Sequence, residues 1–244
     1  MYIHYMKNSI HNKFQGYIEG YYGKILSWCQ RKRILDALNQ NNMNFYFYCP
    51  KEDSYHRHNW RSNYPQHWYH NFKKFITYSN KKKIKIITGI SPGLSIALKK
   101  NSKNYQNDFD CLLNKFEKFL ENGSHYIALL FDDLPLSQIN YKNLGLLHSQ
   151  LANNINKKFS KKLFVTPLIY ADELIEQSPN YLNQFLSNLS DEIKIFYCGK
   201  NIVSKNFHTK NLEINKRIKK NSIIFWDNFY ANDYCPKRLI VGPW

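Results

Sequence analysis

Two adjacent carboxylates, Asp132 and Asp133, end the apolar run Tyr126-Ile127-Ala128-Leu129-Leu130-Phe131. The run reads as a buried strand, and ionised carboxylates are costly to bury without partners, so the pair is expected to face a polar cleft. Two neighbouring carboxylates of unequal acidity suit general acid and general base chemistry. The same pair also suits an ordinary strand-end turn, with one Asp capping the next helix or closing an Asx turn. The ends of the other apolar runs bear on the choice.

Those runs are Gly16 to Glu19, Asn44 to Cys49, Ile84 to Ile90, Leu163 to Pro167, Ile193 to Cys198, Ile223 to Trp226 and Leu239 to Val241. With Tyr126 to Asp132 they predict eight strands. Between them, Phe109, Leu112, Leu113, Phe116 and Leu120 form one apolar face at helical spacing, as do Leu144, Leu147, His148 and Leu151. Gln30 to Leu38, His67 to Tyr78, Pro179 to Leu189 and Thr209 to Lys219 are long enough for further helices. Regular β-then-α alternation predicts the α/β class, a parallel sheet closed into a (β/α)8 TIM barrel. The 244 residues fall just under the roughly 250 typical of that fold. We read residues 1–15 as an N-terminal extension and 16–244 as one barrel domain.

In such barrels the site lies at the C-terminal ends of the strands. Here those ends carry Glu19-Gly20-Tyr21-Tyr22-Gly23, Pro50-Lys51-Glu52-Asp53, Ser91-Pro92-Gly93, the Asp pair, Tyr170, Trp226-Asp227-Asn228 and, before the last run, Asn232-Asp233-Tyr234. Hydroxyls, amides, carboxylates and aromatic faces together match a sugar, which offers hydrogen-bonding edges around apolar C–H faces. Singly, each has a plainer role: Lys51 a solvated loop lysine, Gly20 a turn glycine, Tyr170 a core aromatic, Trp226 barrel filling.

Composition narrows the alternatives. Hydrophobic residues make up 43% and aromatics 16% of the chain, which excludes a disordered tail. No apolar run reaches the roughly 18 residues that cross a bilayer, and the first residues lack an uninterrupted apolar signal region, so a soluble, cytoplasmic protein is expected. Cys29, Cys49, Cys111, Cys198 and Cys235 form no Cys-x-x-Cys pair, which argues for reduced thiols rather than a disulfide framework or zinc ribbon. The formal charge is +17, but the basic residues are scattered pairs and one triple, Lys81-Lys82-Lys83, with no basic arm. Nucleic acid is therefore not the expected partner, although weak adhesion to polyanions is. His56, His58, His67 and His70 lack a matching carboxylate or Cys pattern, and we expect rim residues rather than metal ligands.

The ordered blocks Gly16-Tyr17-Ile18-Glu19-Gly20-Tyr21-Tyr22-Gly23, Tyr48-Cys49-Pro50-Lys51-Glu52-Asp53 with His58-Asn59-Trp60-Arg61, Ile90-Ser91-Pro92-Gly93-Leu94, Ala128 to Asp133, Trp226-Asp227-Asn228 with Ala231 to Tyr234, and Lys237-Arg238-Leu239 with Gly242-Pro243 resemble glycoside hydrolase family 84. These are the O-GlcNAcases and β-N-acetylglucosaminidases, some of them labelled hyaluronidases. The resemblance implies an exo-acting retaining enzyme that removes terminal β-linked GlcNAc. The substrate's own acetamido oxygen would attack the anomeric carbon and form an oxazoline. Asp132 would orient the acetamido N–H, and Asp133 would act as acid and then base, its pKa raised by the charge on Asp132. By the same resemblance the Gly20 carbonyl, Lys51, Asn228 and Asp233 hold sugar hydroxyls, while Tyr170 and Trp226 shape the acetamido pocket. No metal or cofactor is implied, and the partner is a GlcNAc-bearing glycoprotein or glycan. The alternative is a catalytically weakened or inactive GlcNAc-binding homologue truncated at its C-terminus; the presence of both Asp132 and Asp133 favours the enzyme.

The chain departs from the family pattern at several places. Ser95 stands where an Asp follows Ser-Pro-Gly-Leu, Leu168-Ile169-Tyr170 replaces Thr-Glu-Tyr, and Tyr197-Cys198-Gly199 replaces Trp-Thr-Gly. The sequence ends at Trp244, directly after the last expected strand, so the barrel appears without its last helix. Apolar surface left beside the first and last strands needs a cover; Met1 to Lys13 packing there, or a homodimer, is expected to supply it.

Overall fold

The computed structural model describes residues 3–5, 14–99, 102–135, 142–204, 212–218, 223–228 and 231. Its strands are β1 (Ile3–Tyr5), β2 (Gly16–Glu19), β3 (Phe45–Tyr48), β4 (Lys85–Ile90), β5 (Tyr126–Leu130), β6 (Leu163–Thr166), β7 (Lys194–Tyr197) and β8 (Ile223–Trp226). Helices α1 (Trp28–Gln40), α2 (Gln66–Lys81), α3 (Lys103–Glu121), α4 (Leu144–Lys158), α5 (Tyr181–Asn188) and α6 (Glu213–Arg217) alternate with strands β2 to β8. The sheet order is β1-β8-β7-β6-β5-β4-β3-β2. Strands β2 to β8 are parallel, and β1 joins the edge of β8 antiparallel, with Ile3 opposite Trp226 and Tyr5 opposite Ile224. Because β1 also approaches β2, the ring is nearly closed.

This is the barrel architecture expected from the alternation, with seven of the eight expected strands in parallel order. The eighth expected strand, Leu239 to Val241, lies outside the described residues. Among the described residues no helix follows β8. The edge of β8, where Met1 to Lys13 was expected to pack, carries β1.

Each parallel strand is apolar on both faces because each face is covered. Inward residues Ile18, Phe47, Ile87, Leu130, Phe164, Phe196 and Ile224 fill the barrel, and the rings of Phe47 and Phe196 stack with centroids 4.9 Å apart. At the bottom, Phe14 packs on Phe45, centroids 4.1 Å apart. Outward residues Tyr46, Tyr48 and Ile86 meet α1 and α2, whereas Ile127, Leu129, Val165 and Ile195 meet α3 to α5. Gly89 gives the inward layer its room: a Cβ there would lie 2.8 Å from Leu130 Cδ1 and 2.9 Å from Phe47 Cε2.

A local signal fixes the start of α1. Ser27 and Gln30 form a capping box on α1, Ser27 Oγ accepting from Gln30 N–H at 3.2 Å and Gln30 Oε1 from Ser27 N–H at 2.8 Å. The buried face of α3 is broader than its apolar stripe, because Tyr105, Asp108 and Lys115 join Leu112, Phe116 and Phe119 in the interior. Among the described residues no helix is long and apolar enough to cross a membrane.

Candidate active site

Strand β5 ends at Leu130, two residues short of the expected Asp132, and the chain then turns sharply. Asp133 has a φ of 58°, the left-handed region that Asp tolerates better than most residues. The turn brings both carboxylates into a cavity of about 300 Å³ over the strand ends, which Gly20, Lys51, Tyr170, Trp226 and Asn228 also line. Seven of the eight expected site residues thus share one cavity. Asp233 lies outside the described residues.

Lys51 is buried and bridges the pair, its Nζ 2.5 Å from Asp132 Oδ2 and 2.9 Å from Asp133 Oδ2. Asp133 accepts further bonds from the Tyr170 hydroxyl on Oδ1 and the Tyr22 hydroxyl on Oδ2, both at 3.1 Å. Asp132 Oδ1 is buried without a hydrogen-bond partner among the described residues. These surroundings separate the two acids in the order opposite to that expected. Burial raises the pKa of Asp132, with Lys51 opposing only in part and the Asp133 charge adding to the rise. Burial also pushes Asp133 up, but Lys51 and the two tyrosine hydroxyls outweigh it and leave this carboxyl below its ordinary value. Of the two carboxyls, Asp132 is therefore the one that binds a proton more readily.

The cavity wall opposite the acids is built by close approach. Gly20 has no side chain to spare: a Cβ would lie 2.5 Å from Trp226 Cζ2. The Trp226 indole N–H donates to Asn228 Oδ1 at 3.0 Å, and the Asn228 amide donates to Cys198 Sγ at 3.3 Å and to the Ile202 carbonyl at 3.1 Å. Asn228 thus orients Trp226 with every polar atom of its side chain engaged. Cys198, the residue in place of the family's threonine, holds that amide.

Other strand-end carboxylates are structural. Glu19 is fully buried, receives two hydrogen bonds from Arg31 at 2.8 and 2.9 Å, and accepts from the Tyr46 hydroxyl at 2.6 Å. Asp53 accepts from the hydroxyls of Tyr48 and Tyr64 and from Tyr55 N–H. Lys115 reaches from α3 into the loop after β3 and donates to the carbonyls of Tyr55, Trp60 and Ser62 at 2.6 to 2.8 Å. Ser95 Oγ accepts from Trp60 Nε1 at 2.9 Å and Arg61 Nη1 at 3.2 Å, while Asp108 of α3 supplies Arg61 with its carboxylate at 2.6 Å.

His58, His67 and His70 are exposed, as rim residues should be, but His56 is not. It is fully buried, with Nδ1 2.8 Å from the Gly89 carbonyl, and burial pushes its pKa down to about 3. Proximity to β4, rather than the polar company of its neighbours in sequence, sets its environment. Tyr22 and Thr166 are among the cavity residues that carried no expected role. Tyr22 stood in the first motif but was not singled out there, and Thr166 looked like the end of an apolar strand.

The family model for β-N-acetylglucosaminidase matches residues 15–244. The chain is 29% identical to Protein O-GlcNAcase of Rattus norvegicus and to that of Mus musculus over 240 residues, which is 94% of this chain and 26% of each relative. It therefore spans about a quarter of the curated relatives it matches. Its fold is similar to that of an aspartate-to-asparagine variant of the Thermobaculum terrenum O-GlcNAc hydrolase, with TM-score 0.79 and 30% identity over 89% of this chain and 48% of the other. It is also similar to CpGH84B, with TM-score 0.76 and 26% identity over 91% and 40% of the two chains. With the ordered motifs, the barrel and the paired carboxylates in one cavity, these likenesses assign the chain to the β-N-acetylglucosaminidase family.

Proposed function

We propose that the protein is a retaining exo-β-N-acetylglucosaminidase in which the substrate's 2-acetamido oxygen is the nucleophile. The observation that carries this reading is the single free oxygen of the dyad: Asp132 Oδ1 is buried and unpartnered, while Lys51, Tyr22 and Tyr170 occupy the other oxygens. An acetamido N–H is the donor that such an oxygen lacks. Its arrival favours the ionised form of Asp132 and so leaves Asp133 as the carboxyl that takes up the proton, where the leaving oxygen needs it. Asp132 then holds the acetamido group for attack on the anomeric carbon and stabilises the positive charge that develops on it. As the oxazoline forms, the glycosidic bond breaks and the Asp133 proton passes to the leaving oxygen. Asp133, now a carboxylate, takes a proton from the water that opens the oxazoline, with net retention.

Gly20, Lys51 and Asp233 contact the sugar hydroxyls in this reading, and Tyr170 and Trp226 bound the acetamido pocket, with Asn228 setting Trp226 in place. The names of the rat and mouse relatives support a protein-borne GlcNAc as the substrate class. The alternative, a GlcNAc-binding homologue without turnover, would not need the Asp133 acid.

The test is release of 4-nitrophenol from its β-N-acetylglucosaminide by wild type and by Asp132→Asn and Asp133→Asn, with the β-glucoside as control. Wild type should act on the acetamido sugar only, and each variant should lose about 100- to 10,000-fold. A folded wild type without turnover, or one equally active on the glucoside, would overturn the proposal.

A further inference from the structure

Below the dyad, the barrel interior holds a polar group that the chemistry above does not use. Thr166 is the last residue of β6, paired with Leu130 of β5, and its carbonyl accepts from Phe131 N–H at 2.9 Å. Phe164, two residues earlier on the same face of the strand, fills the barrel, so the Thr166 side chain points inward as well. It lines the cavity, is 2% exposed, and its hydroxyl has no hydrogen-bond partner among the described residues. A buried hydroxyl with nothing to bond is uncommon and disfavoured, and valine has the same shape without that penalty.

The position of the hydroxyl matters because of how a 2-acylamino group must lie. With its N–H on Asp132 Oδ1 and its carbonyl oxygen turned to the anomeric carbon, the rest of the acyl group points away from the sugar, towards the barrel interior. The inward residues one layer below Asp132 and Cys198 are Thr166 and Phe196, which form the floor. An acetyl methyl meets that floor with nothing to offer the hydroxyl. An acyl group one oxygen longer brings a partner.

We propose that Thr166 is a specificity-determining residue that selects 2-acylamino sugars whose acyl group carries a terminal hydroxyl, the N-glycolyl sugars. The inference rests on the hydrolase reading above, and its test separates the two. The substrates are the 4-nitrophenyl β-glycosides of N-glycolyl-, N-propionyl- and N-acetylglucosamine. N-propionyl matches N-glycolyl in shape and lacks only the hydroxyl. The ratio of kcat/KM for N-glycolyl over N-propionyl is measured in wild type, Thr166→Val and Thr166→Ser. Comparison across variants cancels the hydroxyl's inductive effect on the attacking oxygen.

The ratio should fall about 10- to 100-fold in Thr166→Val, because a site that bonds a substrate hydroxyl discriminates strongly against its absence, and Thr166→Ser should keep most of it. A ratio unchanged by Thr166→Val, or a wild type that hydrolyses the N-acetyl and N-propionyl sugars but not the N-glycolyl sugar, overturns this inference and leaves the hydrolase reading standing. Should Thr166→Val not fold, a wild-type ratio above ten supports it and any lower ratio overturns it. A folded wild type inactive on all three sugars overturns both.

Discussion

Lys51 shows how much of the site's chemistry lies in three-dimensional placement. Its position after a strand marked it as a cavity residue, but its contact with both acids at once depends on the turn at Asp133. From adjacency alone the charge on Asp132 should raise Asp133; burial and the lysine reverse that order. The consequence is measurable. In kcat/KM the high-pH limb follows loss of the proton that the dyad must carry in the free enzyme, and Lys51 pulls down both carboxyls that can carry it. Lys51→Met removes the cation, so the folded-state pKa of both carboxyls rises and the limb moves to higher pH by about 1–3 units, while the maximum rate falls. A limb that stays at its wild-type position in a folded Lys51→Met protein would show that Lys51 does not set the acid's strength. Tyr22 escaped attention for a related reason. A half-exposed tyrosine beside glycines carries no mark of function until its hydroxyl is found 3.1 Å from Asp133.

Among the elements, strands with both faces covered were the most legible, since runs such as Phe45–Tyr48 and Leu163–Thr166 are continuously apolar. Strand β1 was not, because three residues are too few to show a period, and only the edge of β8 gives them a ladder. The polar interior of α3 was also hidden. The apolar face from Phe109 to Leu120 does not include Lys115, yet its side chain is 1% exposed and anchors three carbonyls of the loop that follows Lys51. Replacing it by methionine keeps the volume and leaves those acceptors without their donor. We expect Lys115→Met to lower unfolding free energy by about 2–4 kcal/mol, read from denaturant curves at constant m-value; a loss under about 0.5 kcal/mol, the ordinary effect of a surface change, would refute the anchoring role.

At the scale of the molecule, β/α alternation and the position of functional residues after strands yielded the barrel and most of its cavity, because both follow from backbone geometry that apolar patterning reports directly. The burial of His56, the engagement of Asn228 within the protein and the free hydroxyl of Thr166 depend on side chains brought together from distant strands, and no single segment encodes them. The formal charge of +17 is opposite in sign to the paired carboxylates of the cavity, a field that favours their ionised form and weakens with salt. The central claim, that the sugar's own acyl oxygen does the work of a nucleophile, is tested most directly by fluorinating that acyl group. With the mono-, di- and trifluoroacetyl analogues of the 4-nitrophenyl substrate, the account predicts a kcat/KM that falls with each added fluorine, because each withdraws electrons from the attacking oxygen. A rate that does not change along the series would contradict it and assign the attack to a group of the protein.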